Sequence, residues 1–255
     1  MTTPSTSSSS SRKSELFDPA DADVVFQSCD GVLFGVHRAN LQTHTDGFPP
    51  AEFATAGEVC ALSESAETLE ALFQFVYRRR HPTLAGLPFA RLAPLAEAAE
   101  KYQVFAAMNI CHIRMQEHLP DNAAEILCYA ARHDYPALAA EAAPNLISMP
   151  LIEVASVLPP DILLPWIKYR HEWEKVLDAV AVPLRKGHRP LILGPLCPDC
   201  SHLRPVDLSV RSLRRLDTVF EEPFALSLCA SFWEHWRGDV RRRIARIRGF
   251  AMAQG

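Results

Sequence analysis

One stretch near the start of the chain, DADVVFQSCDGVLFGVHRANL (residues 21–41), constrains the fold more than any other. Apolar side chains stand at every second position on both sides of a turn, which is the period of two strands that bury one face. These positions are Val24, Phe26, Val32, Phe34 and Val36. Cys29-Asp30-Gly31 supplies residues that tolerate the backbone angles of a tight reversal. The stretch therefore predicts a β-hairpin that runs directly into a helix.

The residues after the hairpin extend this pattern into a mixed α and β domain. A short strand is predicted at residues 58–62, and Ser65 is a candidate N-cap for the next helix. That helix carries apolar residues at i, i+3, i+4, i+7 and i+8, which defines one buried face. They are Leu69, Leu72, Phe73, Val76 and Tyr77. A further helix is predicted over residues 87–102, where Pro94 should kink or divide it.

Taken together, these segments resemble a BTB/POZ domain. That family has a D-V-x-apolar strand, a turn, a second strand that ends in His-(Arg/Lys), and then a helix with Leu. Asp23-Val24, His37-Arg38 and Leu41 stand at those places. The run from Leu72 to Tyr77 and the phrase AEAAEKYQV (residues 96–104) match two later family segments in the same order. The chain is most similar to the fungal BTB-domain proteins that have a helical C-terminal extension.

The region after Pro120 has the character of consecutive helices. A short helix is predicted over residues 151–157 and a longer one over residues 161–181. Trp166 and Trp173 fall broadly on one side of the longer helix, so both are expected to pack in a core or against another helix. This pattern predicts an all-α C-terminal region.

The resulting prediction is an α+β fold in four parts. Residues 1–19 are expected to be a disordered Ser/Thr-rich tail. Residues 20–119 are expected to form a BTB/POZ domain, with a short mixed sheet and a cluster of helices, as the resemblance implies. Residues 120–181 form the helical extension, and residues 182–255 combine a Pro-rich loop that holds a C-x-x-C pair with two amphipathic helices.

Composition and charge exclude several classes of protein. Apolar residues make up 48% of the chain, enough for a packed core. The net charge of −4 gives no whole-chain reason to expect nucleic acid or an anionic membrane. No apolar run is long enough to span a membrane, and the polar N-terminus lacks the apolar core of a signal peptide. These features predict a reducing location, cytoplasmic or nuclear. The chain has seven cysteines, an odd number, and in such a location most of them are expected to be buried residues or free thiols.

Cys197 and Cys200 have the C-x-x-C spacing that allows two thiolates to bind one zinc ion. Cys229, with His202 or His235, would complete such a site. Two free thiols in a Pro-rich turn are the favoured alternative, a redox pair is a further one, and Cys229 also fits the apolar face of a helix. A structural zinc ion is thus one alternative, and no other cofactor is expected.

No catalytic motif occurs in the sequence. The phosphate-binding, dinucleotide-binding and serine-hydrolase patterns are absent, and the spacing of acids and histidines indicates no acid/base pair. The chain is therefore not expected to be an enzyme. By the resemblance, Asp23, His37 and Arg38 are instead candidates for a partner-binding pocket near a dimer groove. The alternative is structural: Asp23 caps or ends a strand, His37 begins a helix, and Arg38 is a surface charge.

The resemblance implies a protein–protein interaction module that self-associates, as a homodimer, or recruits a partner. One specific form is a substrate adaptor of a cullin-RING ubiquitin ligase, although residues 78–81 are basic where adaptors carry an apolar-x-acidic motif. A domain-swapped dimer is disfavoured, since the short Ser-rich segment before Asp21 is not expected to form the long N-terminal strand and helix that are exchanged, and Gly47-Phe48-Pro49-Pro50 replaces a helix. The alternative function is transcriptional regulation through the basic C-terminal helix (residues 237–248), although a solvated helix face explains these arginines without nucleic acid.

Overall fold

A computed structural model describes residues 12–18, 20–48, 59–185, 230–247 and 249–251. The chain divides into two compact units, Met1–Leu119 and Pro120–Gly255. The first unit is mixed α and β, and the described part of the second is helical. The coarse α+β class predicted from the sequence is therefore confirmed.

The first unit contains a mixed sheet of short strands. Its described strands are β1 (Arg12–Lys13), β2 (Val24–Gln27), β3 (Val32–Val36) and β4 (Val59–Ala61), in the order β1-β3-β2-β4. β2 and β3 form the predicted antiparallel hairpin, with Phe26 opposite Phe34, and Gly31 adopts the positive φ of 84° that the turn requires. β1 joins β3 and β4 joins β2 in parallel. The five alternating apolar residues are all buried, which confirms the period read from the sequence.

Residues 12–18 belong to this sheet. The Ser14 amide donates to the Leu33 carbonyl at 2.8 Å, and the Gly35 amide donates to the Phe17 carbonyl at 2.8 Å. Phe17 is only 2% exposed. The predicted disordered tail over residues 1–19 is thus wrong for residues 12–18, because Phe17 supplies apolar area that binds this segment to the core. This segment contributes the two-residue strand β1, which pairs with β3 of the same chain.

Four α-helices and a 3₁₀ turn (Gln74–Val76) complete the described part of the first unit. The helices are α1 (Arg38–His44), α2 (Ala66–Phe73), α3 (Phe89–Lys101) and α4 (Phe105–Glu117). The turn directly follows α2, so Val76 and Tyr77 of the predicted helical face lie beyond its end. The Ser65 side chain accepts a hydrogen bond from the Thr68 amide, which confirms it as the N-cap of α2. Pro94 lies inside α3 without dividing it, so of the two predicted outcomes, a kink or a division, the division is wrong. The missing N–H removes only the one hydrogen bond that residue 94 itself would donate, and the neighbouring helical bonds remain.

The segment at Gly47 passes unusually close to the end of α3. The Gly47 amide donates to the Tyr102 carbonyl at 3.0 Å, and a Cβ at residue 47 would lie 2.5 Å from the Tyr102 carbonyl carbon. Phe48 then stacks on the Tyr102 ring, with centroids 4.3 Å apart and planes 7° from parallel. The glycine at residue 47 therefore has a local reason, because only glycine fits against this backbone.

The described part of the second unit consists of helices. These are α5 (Ala123–Arg132), α6 (Pro136–Ala142), α7 (Leu151–Val157), α8 (Pro160–Arg185) and α9 (Ala230–Ile244), with a 3₁₀ turn at Ala143–Leu146. Trp166 is fully buried and Trp173 is 8% exposed, which confirms that both pack in a core. No helix in the described part of the chain is both long enough and apolar enough to cross a membrane.

Candidate functional site

The three predicted site residues lie where the hairpin meets α1. Val24 pairs with Val36 in the hairpin, so Asp23, which precedes β2, lies beside His37 and Arg38, which follow β3. The Asp23 carboxylate Oδ1 accepts a hydrogen bond from the Arg38 backbone amide at 2.7 Å. Asp23 therefore satisfies an amide in the first turn of α1, where the sequence-local N-cap, His37, makes no side-chain cap bond. The predicted pair, Asp23 and Arg38, is therefore in contact, and the contact is made through the Arg38 backbone amide.

We expect Asp23→Ala to destabilise the first unit by about 1 kcal/mol, because it removes the acceptor for a helix-terminal amide. Asp23→Asn keeps a carbonyl oxygen at the same place and is expected to retain most of the stability. Urea unfolding followed by far-UV circular dichroism measures both changes. Equal stability of wild type and Asp23→Ala would show that the 2.7 Å contact contributes nothing.

The His37 imidazole joins two residues that the sequence did not connect with it. Its Nδ1 lies 3.1 Å from the Tyr77 hydroxyl, and its Nε2 lies 3.2 Å from the Asp21 carboxylate. The hydrogen bond from His37 lowers the pKa of Asp21. Burial raises the pKa of Tyr77, which keeps its phenol protonated. Both imidazole nitrogens therefore have a partner within the unit, and the two contacts fix the orientation of the ring.

A second polar cluster, which no sequence motif predicts, joins the start of α2 to the end of α3. The Glu64 side chain, 12% exposed, accepts from the Tyr102 hydroxyl at 2.6 Å and from the Lys101 ammonium at 2.7 Å. Lys101 also donates to Ser63 at 2.8 Å. Burial acts to raise the pKa of Glu64, but hydrogen bonds from Lys101, Tyr102 and Ser63 outweigh it and the pKa is lowered overall. Burial, with the bond to Glu64, raises the pKa of Tyr102 to about 12.

This cluster makes stability depend on pH in a stated direction. Because the pKa of Glu64 is depressed in the folded protein, the unfolded chain takes up a proton first as pH falls below the ordinary glutamate value of 4.5. The stability that Glu64 contributes is complete above that value and is lost as pH falls through the folded pKa. We expect Glu64→Gln to be less stable than wild type near neutral pH, and the difference to shrink in acid.

Urea unfolding at about pH 7 and about pH 3.5 tests this expectation. The matched control is Glu67→Gln, since Glu67 pairs with Arg91 but its side chain is 58% exposed. We expect the control to change stability little at either pH, as is usual for a surface ion pair. A difference between wild type and Glu64→Gln that stays constant from neutral to acid pH would contradict the role given to the Glu64 carboxylate.

The metal hypothesis receives no structural test. Cys197, Cys200 and Cys229 lie outside the described residues, and the possible zinc site stays a prediction. Within the part of the chain that the structure describes, no three His, Cys, Asp or Glu side chains lie close enough together to hold a metal ion. Burial raises the pKa of the Cys111 thiol to about 12, so this described cysteine is a core residue without thiolate character.

Comparison with known proteins adds no family to these observations. No protein-family model matches the chain, and no curated protein matches it. The resemblance to BTB/POZ domains therefore depends on the motif residues of the sequence alone, and membership of that family stays a prediction.

Proposed function

We propose that the chain is a protein–protein interaction module, in which residues 20–119 form a BTB/POZ-type domain that self-associates or recruits a partner. The observation that carries this proposal is the contact between residues that carry the resemblance. His37 at the end of β3 contacts Tyr77 at the end of the Leu72 to Tyr77 run, and Asp23 contacts Arg38. Residues drawn from separate motifs thus form one junction, as expected if the motifs belong to one domain type.

The chemistry of that junction favours binding over catalysis. Asp23 is used as the acceptor for a helix amide, and the imidazole of His37 lies between Asp21 and Tyr77. A catalytic base or nucleophile needs a pKa matched to proton transfer at the working pH, whereas the pKa of Tyr77 is moved upwards, away from that range. We therefore propose a scaffold role for these residues and place partner contacts on exposed surfaces of the same unit.

A cullin-RING substrate adaptor is the more specific form of this proposal. It is supported by the order of the two units along the chain, since BTB adaptors are expected, by resemblance, to carry a helical extension directly after the domain. The helices α5, α6 and α7 follow Leu119 in this way. The basic residues 78–81 differ from the expected adaptor motif, so cullin binding has to be measured directly.

Two measurements on the full chain test the proposal. Light scattering of the purified protein gives its oligomeric state, and titration calorimetry with a cullin N-terminal domain measures recruitment. We expect a homodimer, a stoichiometric cullin complex, or both. A chain that stays monomeric at high concentration and binds no cullin domain would contradict both self-association and the adaptor role.

The alternative function, contact with nucleic acid, is favoured by the exposed arginines of α9. Arg241, Arg242 and Arg243 are exposed at the end of this helix. However, Asp239 accepts a hydrogen bond from Arg243 at 2.7 Å and lies 3.5 Å from Arg242, which offsets part of the positive charge. A mobility-shift titration of duplex DNA with the full chain tests this alternative. If Arg242→Glu/Arg243→Glu leaves the DNA affinity unchanged, contact through α9 is contradicted.

A further inference from the structure

The loop after Tyr77 carries three consecutive arginines, Arg78, Arg79 and Arg80, which we call the basic run. All three are exposed, and among the residues that the structure describes no carboxylate forms a salt bridge with any of them. Other arginines of the same unit are paired: Arg91 with Glu67 and Arg114 with Glu117. The basic run is therefore a local concentration of positive charge on a chain whose net charge is −4.

The middle residue of the basic run is held against the aromatic core. The Arg79 guanidinium lies 5.5 Å from the centroid of the Phe17 ring and 5.7 Å from that of Tyr77. Its backbone amide also donates to the Tyr77 carbonyl at 2.8 Å. Cation–π contacts of this kind contribute roughly 0.5–1 kcal/mol at exposed sites. They reduce the conformational entropy that a partner would have to remove on binding.

The segment beyond the basic run is also fixed to the domain. The Arg114 side chain donates through Nε to the Thr83 carbonyl at 2.8 Å, and Nε2 of His118 lies 3.0 Å from the Leu87 carbonyl. Both contacts come from the last turns of α4 or the residue after it. The arginines are thus presented on a loop that is anchored on both sides, which distinguishes them from charges on a free tail.

From this geometry we infer that the basic run is a docking surface for an acidic segment of a partner protein, rich in Asp and Glu. Guanidinium groups bind carboxylates through paired, charge-assisted hydrogen bonds, and three adjacent arginines suit a short peptide with several carboxylates. The inference deepens the proposed interaction function and depends on it, because it names the chemistry of one partner.

Charge arguments favour this occupant over two others. A long polyanion such as nucleic acid interacts with charges over much of the chain, whose net charge is negative, and is therefore repelled overall. A short acidic segment interacts mainly with charges within about 8 Å, the Debye length at physiological ionic strength. A second copy that docked through the same surface would place two basic runs opposite each other. That arrangement is repulsive.

Fluorescence anisotropy with a labelled peptide of eight glutamates tests the inference on the full chain. We expect wild type to bind the peptide, and Arg78→Glu/Arg80→Glu to weaken binding about tenfold or more, because two attractive ion pairs become repulsive. The matched control, Lys168→Glu/Lys175→Glu, changes the net charge equally at two exposed positions of α8 and should leave affinity within about twofold. If the charge-reversed protein fails to fold by circular dichroism, Arg78→Gln/Arg80→Gln replaces it.

Three results would overturn the inference: no peptide binding by wild type, equal weakening in the control variant, or tighter binding of a single-stranded DNA of equal charge. These results are separable from failure of the proposed function. If the protein dimerises or binds a cullin domain but does not bind the peptide, the proposed function is supported and the inference of an acidic partner is wrong. If the protein binds the peptide at residues 78–80 but neither dimerises nor binds a cullin domain, the docking surface is supported and the proposed BTB-type activities are wrong.

Discussion

Replacement of Phe73 by alanine is expected to lower the free energy of unfolding of the first unit by about 3–5 kcal/mol, the range for truncating a buried phenylalanine. Phe73 is fully buried at the end of α2 and lies at the centre of an aromatic core. Its ring centroid is between 5.6 and 6.1 Å from those of four other rings: Phe17, Phe26, Phe34 and Phe48. Alanine would leave a cavity that β2, β3 and the N-terminal segment all face, and such a site cannot collapse from one side.

The matched control is Phe105→Ala, which removes the same side chain from α4, where it is 48% exposed. We expect this change to cost well under about 1 kcal/mol, since most of its area is not lost to a core. Both residues lie in the first unit, so hydrogen exchange read by mass spectrometry is used to locate each effect along that unit. Phe73→Ala should accelerate exchange across residues 12–48 and 59–119. Equal effects of the two substitutions would show that Phe73 is not the centre of this core.

The elements of this fold that could be predicted from the sequence are those with a regular apolar period. The hairpin and α2 were predictable because their apolar residues repeat at two and at 3.6 residues, and a slip of one residue would expose the buried set. Phe17 carried no such signal, since it directly follows Leu16 in an otherwise polar segment without any apolar alternation, and β1 has only two residues. Phe17 is buried because it packs on aromatic rings of other elements, and those rings are distant from it in the sequence.

The candidate site shows the same division. Asp23 and Arg38 were paired by resemblance, and the structure brings them into contact. The sequence pattern predicts Asp30 only as a turn residue, yet its carboxylate also accepts a hydrogen bond from the Ala66 amide at the start of α2, 36 positions later. Glu64 and Tyr102 are separated by 38 positions. Contacts over such separations depend on how the elements pack, so neither spacing nor residue type identified them.

In the second unit, the largest effect is expected at Trp166, which is fully buried on α8. Its indole Nε1 donates to the Ala143 carbonyl at 3.1 Å, and the Arg170 guanidinium lies 5.6 Å from the centre of its ring. Trp166→Ala is expected to cost about 3–5 kcal/mol, because it opens a large cavity and leaves a buried carbonyl without its donor. Trp166→Phe keeps most of the apolar volume and loses the hydrogen bond, so we expect about 1–3 kcal/mol.

Trp173 supplies the comparison that separates the hydrogen bond from packing. It is 8% exposed on the same helix, and its buried Nε1 has no hydrogen-bond partner among the described residues. Trp173→Phe removes a similar volume without breaking such a bond and relieves an unsatisfied donor, so it is expected to cost less than Trp166→Phe. Urea unfolding followed by far-UV circular dichroism measures both. If the two phenylalanine variants lose equal stability, the 3.1 Å bond to Ala143 contributes nothing, and Trp166 stabilises the helices by packing alone.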